Sequence, residues 1–277
     1  MNLNKFNLEN KYSLITGAGG LLGEQHARAL LEIKSNIILT DINKKKINNL
    51  YKTLKKDYPY SKILNLYMNV SSEKSVKMTF LKLKKKNIFV DILINNAAID
   101  YKINSGNIFK KKSRIENLLL SNLKKELEVS LIGAVLCIKY FGSAMALKNK
   151  GGVILNIGSD LSKISPNQNI YFNKKISFSE QQVKPITYSI AKHGIIGITK
   201  YISTYWATNN VRCNCLSPGA VFDYQSKPFI KKITKLIPMN RLANKNEYKS
   251  AVQFLCSDAS KYMTGQNIII DGGRTVW

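Results

Sequence analysis

Short runs of aliphatic and β-branched residues recur along this chain, and segments with helical apolar spacing lie between most of them. The runs at 12–16, 36–40, 63–69, 90–95, 152–157, 211–216 and 268–271 read as strands. The stretches at 22–34, 43–57, 73–87, 122–148, 187–209 and 246–257 read as helices. This repeated alternation constrains the fold more than any other feature. It predicts an α/β protein with a doubly wound, mostly parallel, seven-stranded sheet and helices on both faces. Near-continuous apolar strands such as Ile92-Leu93-Ile94 fit burial on both sides. The 277 residues contain no repeat and no linker rich in Pro, Gly or Ser, so one domain over 1–277 is expected. Two segments depart from the alternation. Residues 101–120 are polar and basic, and 162–185 combine Pro166, Asn167, Gln168, Asn169, Tyr171 and Phe172 with Lys174 and Lys175. The second follows a strand end, where open sheets of this kind bind ligands, and is expected to be a substrate loop.

Composition excludes some classes. The residues before Tyr12 hold no continuous apolar stretch, and no apolar run reads as long enough to cross a bilayer. A cytoplasmic protein without a membrane partner is expected. Cys213 and Cys215 flank one residue in a strand-like run and lack a second ligand pair, so they read with Cys137 and Cys256 as buried free thiols rather than a metal site. Lys and Arg total 43 against 17 acids, a net charge of +26. Such a field draws anions. The lysines are scattered in small clusters and arginine, the preferred base reader, is scarce. Solvated lysine faces are therefore expected, not a nucleic-acid site.

The first strand runs into Thr16-Gly17-Ala18-Gly19-Gly20-Leu21-Leu22-Gly23 and then a helix. Glycines there allow a tight turn and let backbone amides approach a pyrophosphate at a helix N-terminus. A glycine turn alone is a weak signal. Its position strengthens it, because Asp41 ends the next strand. A carboxylate there accepts hydrogen bonds from ribose hydroxyls and repels a 2′-phosphate, which predicts NAD over NADP. The competing structural role for Asp41 is to cap the helix that starts near Asn43.

Tyr188 and Lys192 lie four apart, on one face of a helix. A free tyrosine titrates at about 10. A nearby ammonium favours the phenolate, and Tyr188 would then exchange a proton with an alcohol or carbonyl. In so lysine-rich a chain this pair is also common as surface decoration. Ser159, after the strand at 152–157, is placed to hydrogen-bond a reacting oxygen, or simply to make a turn.

In order along the chain, the glycine turn at 16–23, Asp41, Asn95-Asn96-Ala97-Ala98, Ser159, Tyr188 with Lys192, Arg212-x-Asn214-x-x-x-Pro218-Gly219 and Asp271-Gly272-Gly273 together resemble the short-chain dehydrogenase/reductase family, a Rossmann-type fold. The resemblance implies that Tyr188 is the acid/base, that Lys192 binds the nicotinamide ribose and tunes Tyr188, and that Ser159 orients the substrate oxygen. It implies cofactor contacts from Gly17, Gly19, Gly20, Leu22 and Gly23, from Asp41 and Ile42, and from Asn69 and Val70 beside adenine. Asn95, Ala97 and Ala98 would line the groove, with Pro218, Gly219 and Val221 along the nicotinamide. Two positions depart from the pattern of the family's classical branch. Leu21 replaces the middle glycine of Thr-Gly-x-x-x-Gly-x-Gly, and Ser130 stands where an asparagine completes the catalytic set and holds a water in the proton path.

Within the family the chain is most similar to bacterial dehydrogenases of flagellin modification and surface-sugar biosynthesis. The similarity rests on the insert before Tyr188, Val183-Lys184-Pro185-Ile186-Thr187-Tyr188-Ser189, Thr204-Tyr205-Trp206-Ala207, Leu236-Ile237-Pro238-Met239 and the ending Asp271-Gly272-Gly273-Arg274-Thr275-Val276-Trp277. This implies hydride transfer between NAD(H) and a hydroxyl or keto group of a polar or anionic sugar derivative. Lys174 and Lys175 would attract the anion. A homo-oligomer, dimer or tetramer, would form through the long helices. The alternatives are a 3-oxoacyl carrier-protein reductase and a non-catalytic dinucleotide-binding regulator, the latter favoured only by Ser130.

Overall fold

The computed structural model describes residues 3–99 and 113–277. Most of the expected excursion at 101–120 lies outside the described residues. Seven strands form one parallel sheet: β1 (Tyr12–Thr16), β2 (Asn36–Asp41), β3 (Ile63–Tyr67), β4 (Ile92–Asn95), β5 (Gly152–Ile157), β6 (Val211–Pro218) and β7 (Asn267–Ile270). Their order is β3-β2-β1-β4-β5-β6-β7, and every neighbouring pair is parallel. The expected α/β, doubly wound fold is the one observed.

The helices between strands are α1 (Leu21–Glu32), α2 (Lys44–Asp57), α3 (Glu73–Lys85), α4 (Leu120–Lys148) and α5 (Ile186–Tyr205), followed by α6 (Lys227–Thr234) and α7 (Lys249–Cys256). Strand residues alternate between two cores because successive side chains leave opposite faces. Ile15, Leu39, Ile94, Leu155 and Leu216 pack with α1, α2 and α7 on one side. Leu14, Ile38, Leu93, Ile154 and Cys213 pack with α3, α4 and α5 on the other. All four cysteines are free and buried.

Several boundaries differ from the sequence expectation for local reasons. β3 stops at Tyr67, and past it the Asn69 side chain accepts both the Ser71 N–H (3.1 Å) and the Ser71 hydroxyl (2.8 Å), turning the chain. α5 stops at Tyr205, and the left-handed Asn210 (φ 60°) ends the turn that follows. α4 carries two π turns, Glu128–Ile132 and Ile138–Gly142. By length and composition α4 is sufficient to cross a membrane, contrary to the sequence reading. Its buried side, with Cys137, Ile138, Phe141 and Met145, faces the sheet. α6 was not foreseen.

β1 and β4 are neighbours from which the chain winds outward in opposite directions. In such sheets a crevice opens beyond the strand ends at this switch point.

Candidate functional site

A cleft of about 1500 Å³ occupies that crevice. One end is built by the turn between β1 and α1. Gly17 has φ +61°, and a Cβ there would lie 2.8 Å from Ala97 Cα, so only glycine fits. A Cβ on Gly23 would meet the Gly17 carbonyl at 2.5 Å; Gly23 packs the helix against its own turn and does not reach the cleft. Gly20 caps α1 and no side chain caps that end, so the first-turn N–H groups face the cleft without a side-chain acceptor. This is the chemistry a pyrophosphate needs, and the residues present fit a dinucleotide. Leu21, in place of the expected glycine, opens α1 with its side chain part exposed at the rim.

Asp41 ends β2 at the same wall. Its carboxylate accepts the Gly19 N–H (3.0 Å) and the Asn43 N–H (2.8 Å). The helix cap itself is Asn43, which accepts the Lys46 N–H at 2.9 Å. Asp41 thus braces the glycine turn, and a carboxylate has acceptor positions left beyond these two bonds. Ile42, Lys46, Asn69 and Val70 continue the wall.

After β4 the wall is made by Asn96, Ala97, Ala98 and Ile99. The expected Asn95 lies behind it. Its amide donates to Asn156 on β5 (2.9 Å), whose own amide donates to Thr199 on α5 (2.9 Å). Asn96 does the work at the surface, donating to the carbonyls of Thr16 and Gly17 at 3.0 Å each. Ser130 also stays behind the wall, where its hydroxyl accepts the Ile99 N–H (3.2 Å) and fixes the segment after β4.

The other end of the cleft holds Ser159, Tyr188 and Lys192 together, with Pro218, Gly219 and Val221 after β6. Lys192 is buried and donates to the Ile157 carbonyl at 2.9 Å, its ammonium 5.7 Å from the Tyr188 ring centroid. Ser159 is buried as well, and donates to Asp160 at 2.8 Å. Asp160 in turn forms a buried ion pair with Arg274 (2.7 Å). The Thr187 hydroxyl, one residue before Tyr188, donates to the buried Glu126 of α4.

Asp160, Arg274, Asn96 and Lys184 were not anticipated at the site. Asn96, Lys184 and Arg274 stand in the motifs named above, but no local pattern marks them as facing this cleft. Of the loop at 162–185, Tyr171 and Lys184 line the cleft near Tyr188; Lys174 and Lys175 are exposed and do not. Arg212 and Asn214 are structural: both donate to the Met263 carbonyl (3.1 and 2.8 Å), and so stitch β6 to the segment before β7.

Fold and cleft together define a dinucleotide-dependent oxidoreductase. The family model for short chain dehydrogenases matches residues 11–224, and one described as enoyl-(acyl carrier protein) reductase matches 177–275. The chain belongs to the short-chain dehydrogenase/reductase family and is an NAD(P)-dependent enzyme acting on hydroxyl or keto groups. It is 29% identical to the uncharacterized oxidoreductase YxbG of Bacillus subtilis, over 96% of this chain and 91% of that protein. It is 26% identical to an NAD-dependent glycerol dehydrogenase of Listeria innocua, over 98% and 96%. It is 25% identical to post-translational flagellin modification protein A of Campylobacter coli, over 96% and 98%. Among solved structures, a short chain dehydrogenase from Leptospira borgpetersenii with bound NAD+ superposes with a TM-score of 0.84 at 29% identity, covering 100% of this chain and 97% of that one. A gluconate 5-dehydrogenase from Burkholderia cenocepacia, in complex with NADP and tartrate, does so at 0.85 and 23% identity, covering 100% of each.

Proposed function

We propose that this enzyme is an NAD-dependent dehydrogenase or reductase of a sugar or sugar derivative, phosphorylated or nucleotide-linked, serving surface-glycan or flagellin-glycan biosynthesis. The observation that carries the reading is one cleft with an unshared helix N-terminus and Asp41 at one end, and Tyr188, Lys192 and Ser159 at the other. The bound dinucleotide supplies a hydride acceptor or donor. Tyr188 takes the hydroxyl proton of the alcohol as a phenolate, or returns it to the carbonyl as a phenol. Lys192, held by the Ile157 carbonyl, keeps a positive charge beside the phenol and favours its ionised form. Ser159, whose hydroxyl donates to Asp160 and accepts the Leu161 N–H, orients the reacting oxygen by turning its own proton from Asp160 to that oxygen.

The preference for NAD rests on the negative charge of Asp41 next to the ribose position. Lys46 lines the same corner and would favour a 2′-phosphate, so the two charges oppose each other there. The glycerol dehydrogenase among the relatives supports a polyhydroxy substrate, and the flagellin-modification protein supports a role in flagellin modification. Lys124 and Lys125 in the cleft suit an anionic substrate.

Fluorescence titration with NADH and NADPH, followed by turnover with keto-sugars and sugar phosphates, tests this. NADH is expected to bind more tightly, and Tyr188→Phe to lower kcat by about 10²–10⁴-fold. Equal affinity for NADPH would remove the Asp41 argument. A second reading, reduction of an acyl carrier-protein substrate, is favoured by the apolar Phe229 and Ile233 in the cleft and by the second family model over 177–275. Turnover of a 3-oxoacyl thioester but of no sugar would establish it instead.

A further inference from the structure

Lys184 stands four residues before Tyr188, and Lys192 four residues after it. Only the second spacing is helical. α5 begins at Ile186, and its cap, Pro185, is extended (φ −62°, ψ 146°). The chain therefore turns at Pro185, and Lys184 approaches the ring from outside the helix. Its ammonium lies 3.7 Å from the Tyr188 ring centroid, nearer than that of Lys192 at 5.7 Å. This placement is built. The Gln168 side chain accepts the Lys184 N–H (2.8 Å) and donates to the Lys184 carbonyl (3.2 Å), so the backbone is clasped on both sides.

We propose that Lys184 is a second positioning cation for Tyr188, supplied by the 162–185 loop, which together with Lys192 brackets the ring and holds the phenolate. The inference rests on Tyr188 being the acid/base, as proposed above. A cation over a phenol face is attracted by the neutral ring, and more strongly by the phenolate, whose charge spreads into the ring. The other charged groups around this end are named by element. From α4 come Lys124, Lys125 and Glu128 in the cleft, and Glu126 beneath Thr187; after β5 Asp160 is paired with Arg274; after β6 there is Asp223. Glu128 and Asp223 favour the neutral phenol, and the lysines favour the ionised one.

The test is a titration of Tyr188 itself in the full-length enzyme labelled with 13Cζ-tyrosine. Its resonance is assigned by its loss in Tyr188→Phe, and log kcat/KM is followed against pH for alcohol oxidation in parallel. Lys184→Met is expected to raise the Tyr188 midpoint, and the acid limb of the rate profile, by about one pH unit. Lys184→Arg, which keeps the charge, restores both. An unmoved midpoint in Lys184→Met overturns the proposal, and a raised KM for an anionic substrate would then make Lys184 a substrate contact instead. If Tyr188→Phe keeps full turnover, the acid/base reading fails separately, because the resonance reports on the Lys184 contact without substrate or cofactor.

Discussion

His26 lies on α1 beneath the glycine turn, fully buried, with neither ring nitrogen hydrogen-bonded. Burial holds it neutral and lowers its pKa to about 4, with nearby Asn96 opposing this only in part. The sign follows from linkage. Between the ordinary value of 6.5 and about 4, the unfolded chain takes up a proton that the folded chain refuses. Stability from this residue is complete above pH 6.5 and falls by about 3 kcal/mol as pH drops to 4. Urea unfolding at pH 7 and pH 4.5 should show a steep loss in the wild type and a shallower one in His26→Leu. Equal losses would mean that other groups carry the acid sensitivity. The Asp160–Arg274 pair is buried on both sides, so Arg274→Ala leaves a lone carboxylate beside Ser159. A stability loss of about 3–5 kcal/mol is expected in the same urea assay, and a loss under 1 kcal/mol would mean that water reaches Asp160. That Tyr188, Lys192, Ser159, Asp41, Gly17, Gly19 and Gly20 line one cleft was legible because each stands at the end of a strand, in the turn after one or at helical spacing. Asp160 with Arg274, 114 positions apart, was not, because only the closed sheet brings them together.

At the scale of elements, periodicity located the seven strands: the central ones are buried and carry a near-continuous apolar signal, and the part-buried edge strands β3 and β7 still keep an aliphatic run. α6 escaped because it is eight residues long, opens on Lys-Pro and finds its apolar partners in the distant insert. Tyr171 stacks on Phe229 with centroids 5.7 Å apart, and Ile170 packs with Ile233, Ile237 and Leu242. The insert is therefore a packed cap over the end of the cleft near Tyr188, with its own small core. Phe229→Ala removes a stacked pair worth about 0.5–1.5 kcal/mol and should raise the substrate KM about 2- to 10-fold. NADH affinity should change less, because the glycine turn and Asp41 belong to neither this cluster nor the residues packed against it. Parallel weakening of both would mean that the cap and the dinucleotide end move as one unit.

For the whole molecule, charge and apolar surface pull in opposite directions. α4 and α5 pack side by side, and Ile132, Val135 and Leu147 on α4 and Ile190, Tyr201 and Tyr205 on α5 remain exposed. We propose that a second copy of the chain covers this face, which would exclude water from the side chains the fold leaves uncovered. Each copy brings a net charge of +26. At about 0.01 M salt the screening length is about 30 Å, so two such protomers repel across their full contact; at 0.1 M it shrinks to about 10 Å. An apolar contact between like-charged copies should tighten with salt, whereas one held by ion pairs should loosen. Light scattering is expected to show assembly at 0.3 M NaCl and a shift toward the single chain at 0.01 M. Val135→Glu should disrupt the assembly at both, since it places a carboxylate in the apolar contact without relieving much of the +26. Dissociation on adding salt would place the interface on the lysine faces rather than on α4 and α5.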